Sequence, residues 1–218
     1  MTDDQAALAG FTGAARLFPL PNLVLFPNVV QGLHIFEPRY RQLTADALAT
    51  DGLLALVLLK PGWEDTYDAR PAVEGVACLG RVTHSELLPD GRYNLRVRGI
   101  SRVRLLSEPP TDKLYRVAQA EPVADVAPAD LGALAALRRR LAEAVLPRFE
   151  PAGTAHDQLR QLFDGEMPLG QLCDVLAYAL PVPVELKQQL LDEPAVATRV
   201  EVLANAVRGT PAAAGRRS

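Results

Sequence analysis

Residues 18–43 read FPLPNLVLFPNVVQGLHIFEPRYRQL. Pro19, Pro21 and Pro27 break an apolar stretch made of residues 23–26 and then Val29-Val30. Proline fixes φ and removes a backbone donor, so these pieces are expected to be edge strands or strand starts rather than helix. After Leu33-His34-Ile35-Phe36 the character changes. Glu37-Pro38 opens a helix, because the missing N–H of proline costs nothing at the first helical position. Arg39, Tyr40, Arg41 and Leu43 carry that helix over residues 38–49, to a stop at Asp51-Gly52.

Two hydrophobic periods divide the rest. Tyr93, Leu95 and Val97 alternate with Asn94, Arg96 and Arg98, the period-2 signature of a strand with one wet face. Pro89-Asp90-Gly91 is a hairpin turn between strands at 82–88 and 92–98, since Asp-Gly tolerates positive φ. Gly99-Ile100 reads as a second tight connection, into a strand at 101–106, and residues 114–120 read as one more. Beyond residue 128 the period becomes helical. Pro128 or Asp130 starts a long helix with Leu131, Leu134, Leu137 or Leu141, and Val145 at helical spacing, ended by Pro147. Further helices are expected at 156–163, 168–180, 183–192 and 194–208, with Gly209 as a stop. Residues 121–128, rich in Ala, Pro and Asp, are the linker. The expected plan is a flexible amino terminus (1–14), a β-rich domain (15–122), a helical subdomain (123–209) and a disordered tail (210–218).

Composition narrows the class. Apolar residues make up 49% of 218, enough for a real core. A net charge of −3 argues against a dedicated nucleic-acid binder. Cys78 and Cys173 form no CxxC and no disulfide framework, which suits a reducing compartment. The longest apolar run, residues 53–59, is far below the roughly 20 residues of a membrane span. Met1-Thr2-Asp3-Asp4 lacks the basic start of a secretion signal. A cytoplasmic protein without membrane partners is expected.

FPLPNLVLFP, the LHIFEPRYRQL helix start, the strand LLALVLLK (residues 53–60) and the hairpin LLPDGRYNLRVRGISRVRL (residues 87–105) occur in this order. Together they resemble the amino-terminal substrate-binding domain of the Lon protease family, and more closely stand-alone Lon-domain proteins that lack the rest of the protease. The resemblance covers about residues 15–208. It implies an α+β fold: a PUA-like β-barrel or bent sheet with one packed helix, followed by a carboxyl-terminal helical bundle. It also implies a non-catalytic module that binds unfolded or tagged polypeptide segments, an adaptor role in protein quality control beside a protease, and room for a homo-oligomer.

The residues carry little catalytic chemistry. A phosphate loop GxxxxGK[ST] is absent, and the lysines are Lys60, Lys113 and Lys187. No serine lies in a nucleophile-elbow context, so neither ATP hydrolysis nor Ser-Lys peptidase chemistry is expected. His34, His84, His156 and the two cysteines share no metal-ligand spacing, and no cofactor is implied. Glu64, Asp65 and Asp68 read as a solvated loop.

Binding elements remain. Trp63, the single tryptophan, and Tyr67 follow an apolar strand among turn residues and form the best recognition loop. His34, Phe36 and Tyr40, around the helix start, are further candidate partner contacts. Glu37 favours the helix dipole and is placed to pair with Arg41 four residues on. Polypeptide would be held in an apolar groove beside Trp63 or by strand pairing on a barrel edge. The alternative is an RNA-binding barrel using Arg96, Arg98, Arg102 and Arg104. It is weakened by the scarcity of interleaved aromatics, and a solvated, edge-protecting strand face is the simpler reading.

Overall fold

The computed structural model describes residues 2–66, 70–151 and 153–209. It divides into two compact units, Met1–Ala124 and Asp125–Ser218.

The first unit is a small barrel. Its elements are α1 (Asp3–Ala9), β1 (Ala14–Leu20), β2 (Val30–Ile35), α2 (Pro38–Leu48), β3 (Leu53–Leu58), β4 (Val76–Leu87), β5 (Tyr93–Ser107) and β6 (Arg116–Val123). The strand order is β2-β5-β4-β3-β1-β6, and β5 also pairs with β6. Five strands therefore close into a ring, and β2 is an extra strand laid outside it on β5. Closure leaves Ala15, Leu17, Ala55, Val57, Ala77, Leu79, Val103 and Ala118 pointing into one core. β1 and β3 are parallel, with β2 and α2 in the connection between them. α2 packs on β1 and β3. It buries Tyr40, Leu43, Thr44 and Ala47, the i, i+3, i+4, i+7 stripe of an amphipathic helix. All six residues of β3 are buried, since it is paired on both edges and covered by α2.

β5 holds this architecture together. Residues 93–98 pair with β2, and residues 102–107 pair with β6, while β4 runs along the other edge from Tyr93 to Arg104. The partner changes at Gly99-Ile100. That pair is not the tight connection expected from sequence: the strand continues through it with a register shift opposite Leu79/Gly80. Glycine is needed there for close approach. A Cβ at Gly99 would lie 2.8 Å from the Phe26 carbonyl carbon and 2.9 Å from Cys78 Sγ. Residues 23–26 are likewise not a strand. Val24, Leu25 and Phe26 are buried as an unpaired strap. The strap is fastened by Asn28 N–H donating to the Gly99 carbonyl at 2.8 Å and Gly99 N–H donating to the Val29 carbonyl at 2.9 Å. Asn28 adopts φ 66°, the left-handed turn that asparagine tolerates. Pro19 sits in the half of β1 that β6 has left, pairing only with Val57, where a missing donor is harmless.

The segment expected to be a flexible terminus carries α1. Thr2 and Gln5 form a capping box at its start. Asp4 accepts from Arg81 and pairs with Arg98 at 2.8 Å, while Ala7 and Leu8 pack on the barrel core.

The second unit contains α3 (Leu131–Val145), α4 (Thr154–Asp164), α5 (Leu169–Ala179), α6 (Val184–Asp192) and α7 (Val196–Gly209). Asp130 caps α3 by accepting from Gly132 and Ala133 N–H. Leu141, Val145, Leu172, Leu176, Val200 and Leu203 form its interior, and Val126 bridges to Ala195. Arg199 lies fully buried among them. Its guanidinium grips Asp125 at 2.7 and 2.6 Å, with buried Asp174 at 3.8 Å. Burial opposes that charge, but the Asp125 hydrogen bonds and the two carboxylates outweigh it and hold Arg199 above the usual arginine range. The expected tail from residue 210 lies outside the described residues.

Candidate functional site

The loop after β3 begins with Pro61-Gly62, where Gly62 has φ +85°, the combination that a type II turn requires. Trp63 follows, half-buried, and a single 3-10 turn spans Glu64–Thr66. The loop is stapled at its base by the Leu59–Val73 bridge and by Lys60 N–H donating to the Ala72 carbonyl at 2.8 Å. Tyr67 and Asp68 lie outside the described residues.

The two stems of this loop border a cleft of about 80 Å³. Leu59, Arg70 and Pro71 line one side, Pro19, Arg39 and Tyr40 a second, and Leu114, Tyr115 and Arg116 a third. Trp63 is not on its wall. Tyr40, 5% exposed, stacks on Phe18 with ring centroids 4.2 Å apart, and the Arg39 guanidinium lies over the Tyr40 ring, 4.9 Å from its centroid. Arg116 is fixed by Glu108 at 2.8 Å and by the Pro71 carbonyl at 2.6 Å. Glu37 pairs with Arg39 at 2.7 Å, not with Arg41 as helical spacing suggested. The cleft therefore mixes apolar and aromatic side chains with three arginines, Arg39, Arg70 and Arg116, and Leu114 on its lining is 64% exposed.

The wall that carries Tyr115 docks on α2 through a polar cluster. Tyr115 O–H donates to Asp46 at 2.8 Å, Lys113 pairs with the same carboxylate at 3.0 Å, and Leu114 N–H donates to Gln42 at 2.7 Å. The Lys113 ammonium and then the Tyr115 hydroxyl hold the Asp46 carboxyl below the usual carboxylate range. Burial, and then Asp46, push the Tyr115 phenol up.

His34 and Phe36 stand elsewhere, at the end of β2. His34 is exposed, with Nδ1 2.9 Å from Asn94 Oδ1 and Nε2 3.3 Å from Arg92 Nη1; a proton on Nδ1 satisfies both. Asn94 in turn donates to Glu86 at 2.9 Å. Phe36, 61% exposed, lies 6.3 Å from the His34 ring.

The arginines do not form one stripe. Arg102 is 2% exposed, and Arg98 is committed to Asp4. Only Arg96 and Arg104 stand exposed. The two exposed arginines are separated along β5 by buried Arg102 and by Arg98 paired with Asp4, so they form no continuous row. Among the described residues no cluster of three metal-ligating side chains occurs, and no helix is long and apolar enough to cross a membrane. Cys78 and Cys173 are both buried thiols.

A closed strand ring with one seated helix, preceding a set of packed helices, is an α+β architecture. The chain belongs to the ATP-dependent protease La (LON) substrate-binding domain family, whose model matches residues 14–208. It is 30% identical over 202 residues to the Lon protease of Paraburkholderia phytofirmans, covering 88% of this chain and 24% of that protein. To Lon protease 1 of Thermus thermophilus it is 29% identical over 197 residues, 85% of this chain and 23% of that one. The chain thus spans about a quarter of the length of these relatives. Among solved structures, a Lon N-terminal domain protein from Xanthomonas campestris aligns with TM-score 0.60 and 26% identity, covering 88% of this chain and 97% of that one. The N-terminal domain of a Mycobacterium avium complex Lon protease aligns with TM-score 0.72 over 90% of this chain and 98% of that one. At 15% identity it speaks for the fold alone.

Proposed function

We propose that this chain is a non-catalytic module that captures unfolded or tagged polypeptide segments and presents them to a protease. The match of residues 14–208 to a substrate-binding domain family carries this reading. The cleft between Tyr40, Leu59 and Tyr115 supplies an apolar socket for a side chain, and the stapled loop beside it supplies Trp63 as an aromatic contact. The arginines on its lining, Arg39, Arg70 and Arg116, suit backbone carbonyls and carboxylates of an extended chain. The adaptor role follows from the family's association with proteases and works from the cytoplasm.

A reduced, alkylated model protein, labelled with fluorescein and held unfolded, tests the reading by anisotropy. Wild-type chain is expected to bind it. Trp63→Ala is expected to weaken binding about fivefold to thirtyfold, the range for losing an aromatic anchor. No binding by the wild type refutes the function, and unchanged binding by Trp63→Ala refutes the loop assignment.

A further inference from the structure

We propose that the open edge of β2 takes up an extended segment of another polypeptide, with acidic and apolar residues alternating, as an added strand of the sheet. The class of ligand rests on the polypeptide-binding reading; the place and the chemistry go beyond it.

Among the described strands β2 pairs with β5 alone, and it stands at the end of the strand order. Alternate backbone N–H and C=O groups of Val30–Ile35 therefore face away from β5, on the side where no other described strand pairs with β2. Native edges are usually blunted by lysine, proline, an inward-pointing charge or a bulge. The sequence VQGLHI has neither proline nor lysine, and its register with β5 runs unbroken from Val30–Arg98 to Ile35–Tyr93. The Gln31 amide donates to the Gly32 carbonyl at 2.5 Å, a local contact that an incoming strand can replace. Exposed Val30 (47%) and Phe36 (61%) frame the edge with apolar surface.

The cross-strand register sets what the added strand must carry. Val30, Gly32 and His34 lie opposite Arg98, Arg96 and Asn94, so these side chains share the outer face. Arg98 is held by Asp4, and His34 by Asn94 and Arg92. Arg96 is exposed and engages no carboxylate among the described residues. Between Arg96 and the edge stands Gly32, and nothing lies within 4 Å of where its Cβ would be. A strand added to β2 sits two strand spacings from β5, roughly 10 Å. Arginine and glutamate side chains reaching toward each other over the glycine bridge that gap. The opposite face continues the buried row of Ile35, Leu95 and Val97 past half-buried Leu33, and calls for apolar residues at alternate positions. A second copy of β2 does not satisfy the outer face, because VQGLHI contains no carboxylate.

A labelled eight-residue peptide alternating valine and glutamate is the probe, with a valine–lysine peptide and a fully N-methylated valine–glutamate peptide beside it. Wild-type chain is expected to bind the first most tightly and to lose the N-methylated form, whose side chains are unchanged but whose backbone cannot pair. Bound peptide is expected to slow hydrogen exchange over residues 30–35. Arg96→Glu, an exposed substitution, is expected to weaken the acidic peptide about fivefold and to shift preference toward the lysine peptide. Equal binding of the N-methylated peptide, or an unchanged charge preference in Arg96→Glu, overturns the proposal. If the unfolded model protein still binds in either case, the β2 assignment falls alone; if neither probe binds wild-type chain, polypeptide binding falls with it.

Discussion

Gly99→Ala is the substitution whose effect the barrel geometry sets most tightly. The added methyl would meet the Phe26 carbonyl carbon at 2.8 Å and Cys78 Sγ at 2.9 Å, with the Phe26 carbonyl oxygen closer still. Two of these atoms are backbone, so no rotamer change relieves the clash. The strap 23–29 must lift, and it is tied to Gly99 by two hydrogen bonds of 2.8 and 2.9 Å. Overpacking a tight core site costs about 1–3 kcal/mol. Losing both hydrogen bonds adds about 0.5–1.5 kcal/mol each. The sum is about 4 kcal/mol, a large part of a typical domain stability of about 5–15 kcal/mol. Trp63 is the only tryptophan and belongs to the barrel unit, so a urea titration followed by its fluorescence reads that unit. With a urea dependence of about 2 kcal/mol per M, the midpoint should fall by about 2 M. Gly32→Ala is the control: its Cβ has open space, and the change should stay within about 0.5 kcal/mol of wild type. A Gly99→Ala midpoint as high as that of the control would refute the close-approach argument.

Arg199→Met should destabilise the helical unit by about 3–5 kcal/mol, because Asp174 (2% exposed) is left buried without its guanidinium. Adding Asp174→Asn should recover part of the loss in helix-monitored urea unfolding; no recovery would mean that the charge is not what matters. For the Asp46 cluster the signs differ by group. The depressed Asp46 pKa contributes stability present above the unfolded value of about 3.9 and lost as pH falls below it. The raised pKa values of Lys113 and Tyr115 contribute stability present below about 10 and lost as pH rises through their folded values. Asp46→Asn should therefore flatten both limbs of the barrel unit's stability–pH curve, and an alkaline limb identical to wild type would assign that limb to other groups.

The sequence made α2 legible because its signals are local: Pro38 at the first helical position and a buried stripe at 40, 43, 44 and 47. The Pro89-Asp90-Gly91 turn was legible for the same reason, and Gly91 has φ +80°. Residues 23–26 misled, because apolarity reports burial and not pairing; they are buried by wedging against β5 rather than by joining a ladder. Gly99 misled because a glycine that allows a turn and one that allows a close approach look alike in one dimension. Arg102, Arg104 and Arg96 look equivalent by alternation, yet Arg102 is buried while Arg96 and Arg104 are exposed, a difference that alternation does not carry. Of the residues lining the cleft, Tyr40 was among those singled out from sequence, while Trp63 stands off its wall. Tyr115, Asp46 and Lys113 were not legible, since their contacts join residues about 70 apart in the chain. The Asp125–Arg199 pair, 74 residues apart, carried no local signal either.

The bend in β5 links barrel closure to the open edge. A strand of 15 residues, paired with β4 from Tyr93 to Arg104, could serve one partner on its other side. Instead its second half closes the ring with β6, and its first half carries β2 outside the ring. The switch lies at Gly99, where the backbone of the strap presses in. A bulkier residue there pushes on the segment that leads directly into β2, since Val29 is both the acceptor for Gly99 N–H and the neighbour of Val30. Gly99→Ala should therefore disturb the β2 edge before it opens the ring: hydrogen exchange over residues 30–35 should accelerate at urea concentrations where β3 amides remain protected. Equal acceleration in β3 would show that closure and edge form one cooperative unit, and that the strap does not act on β2 separately.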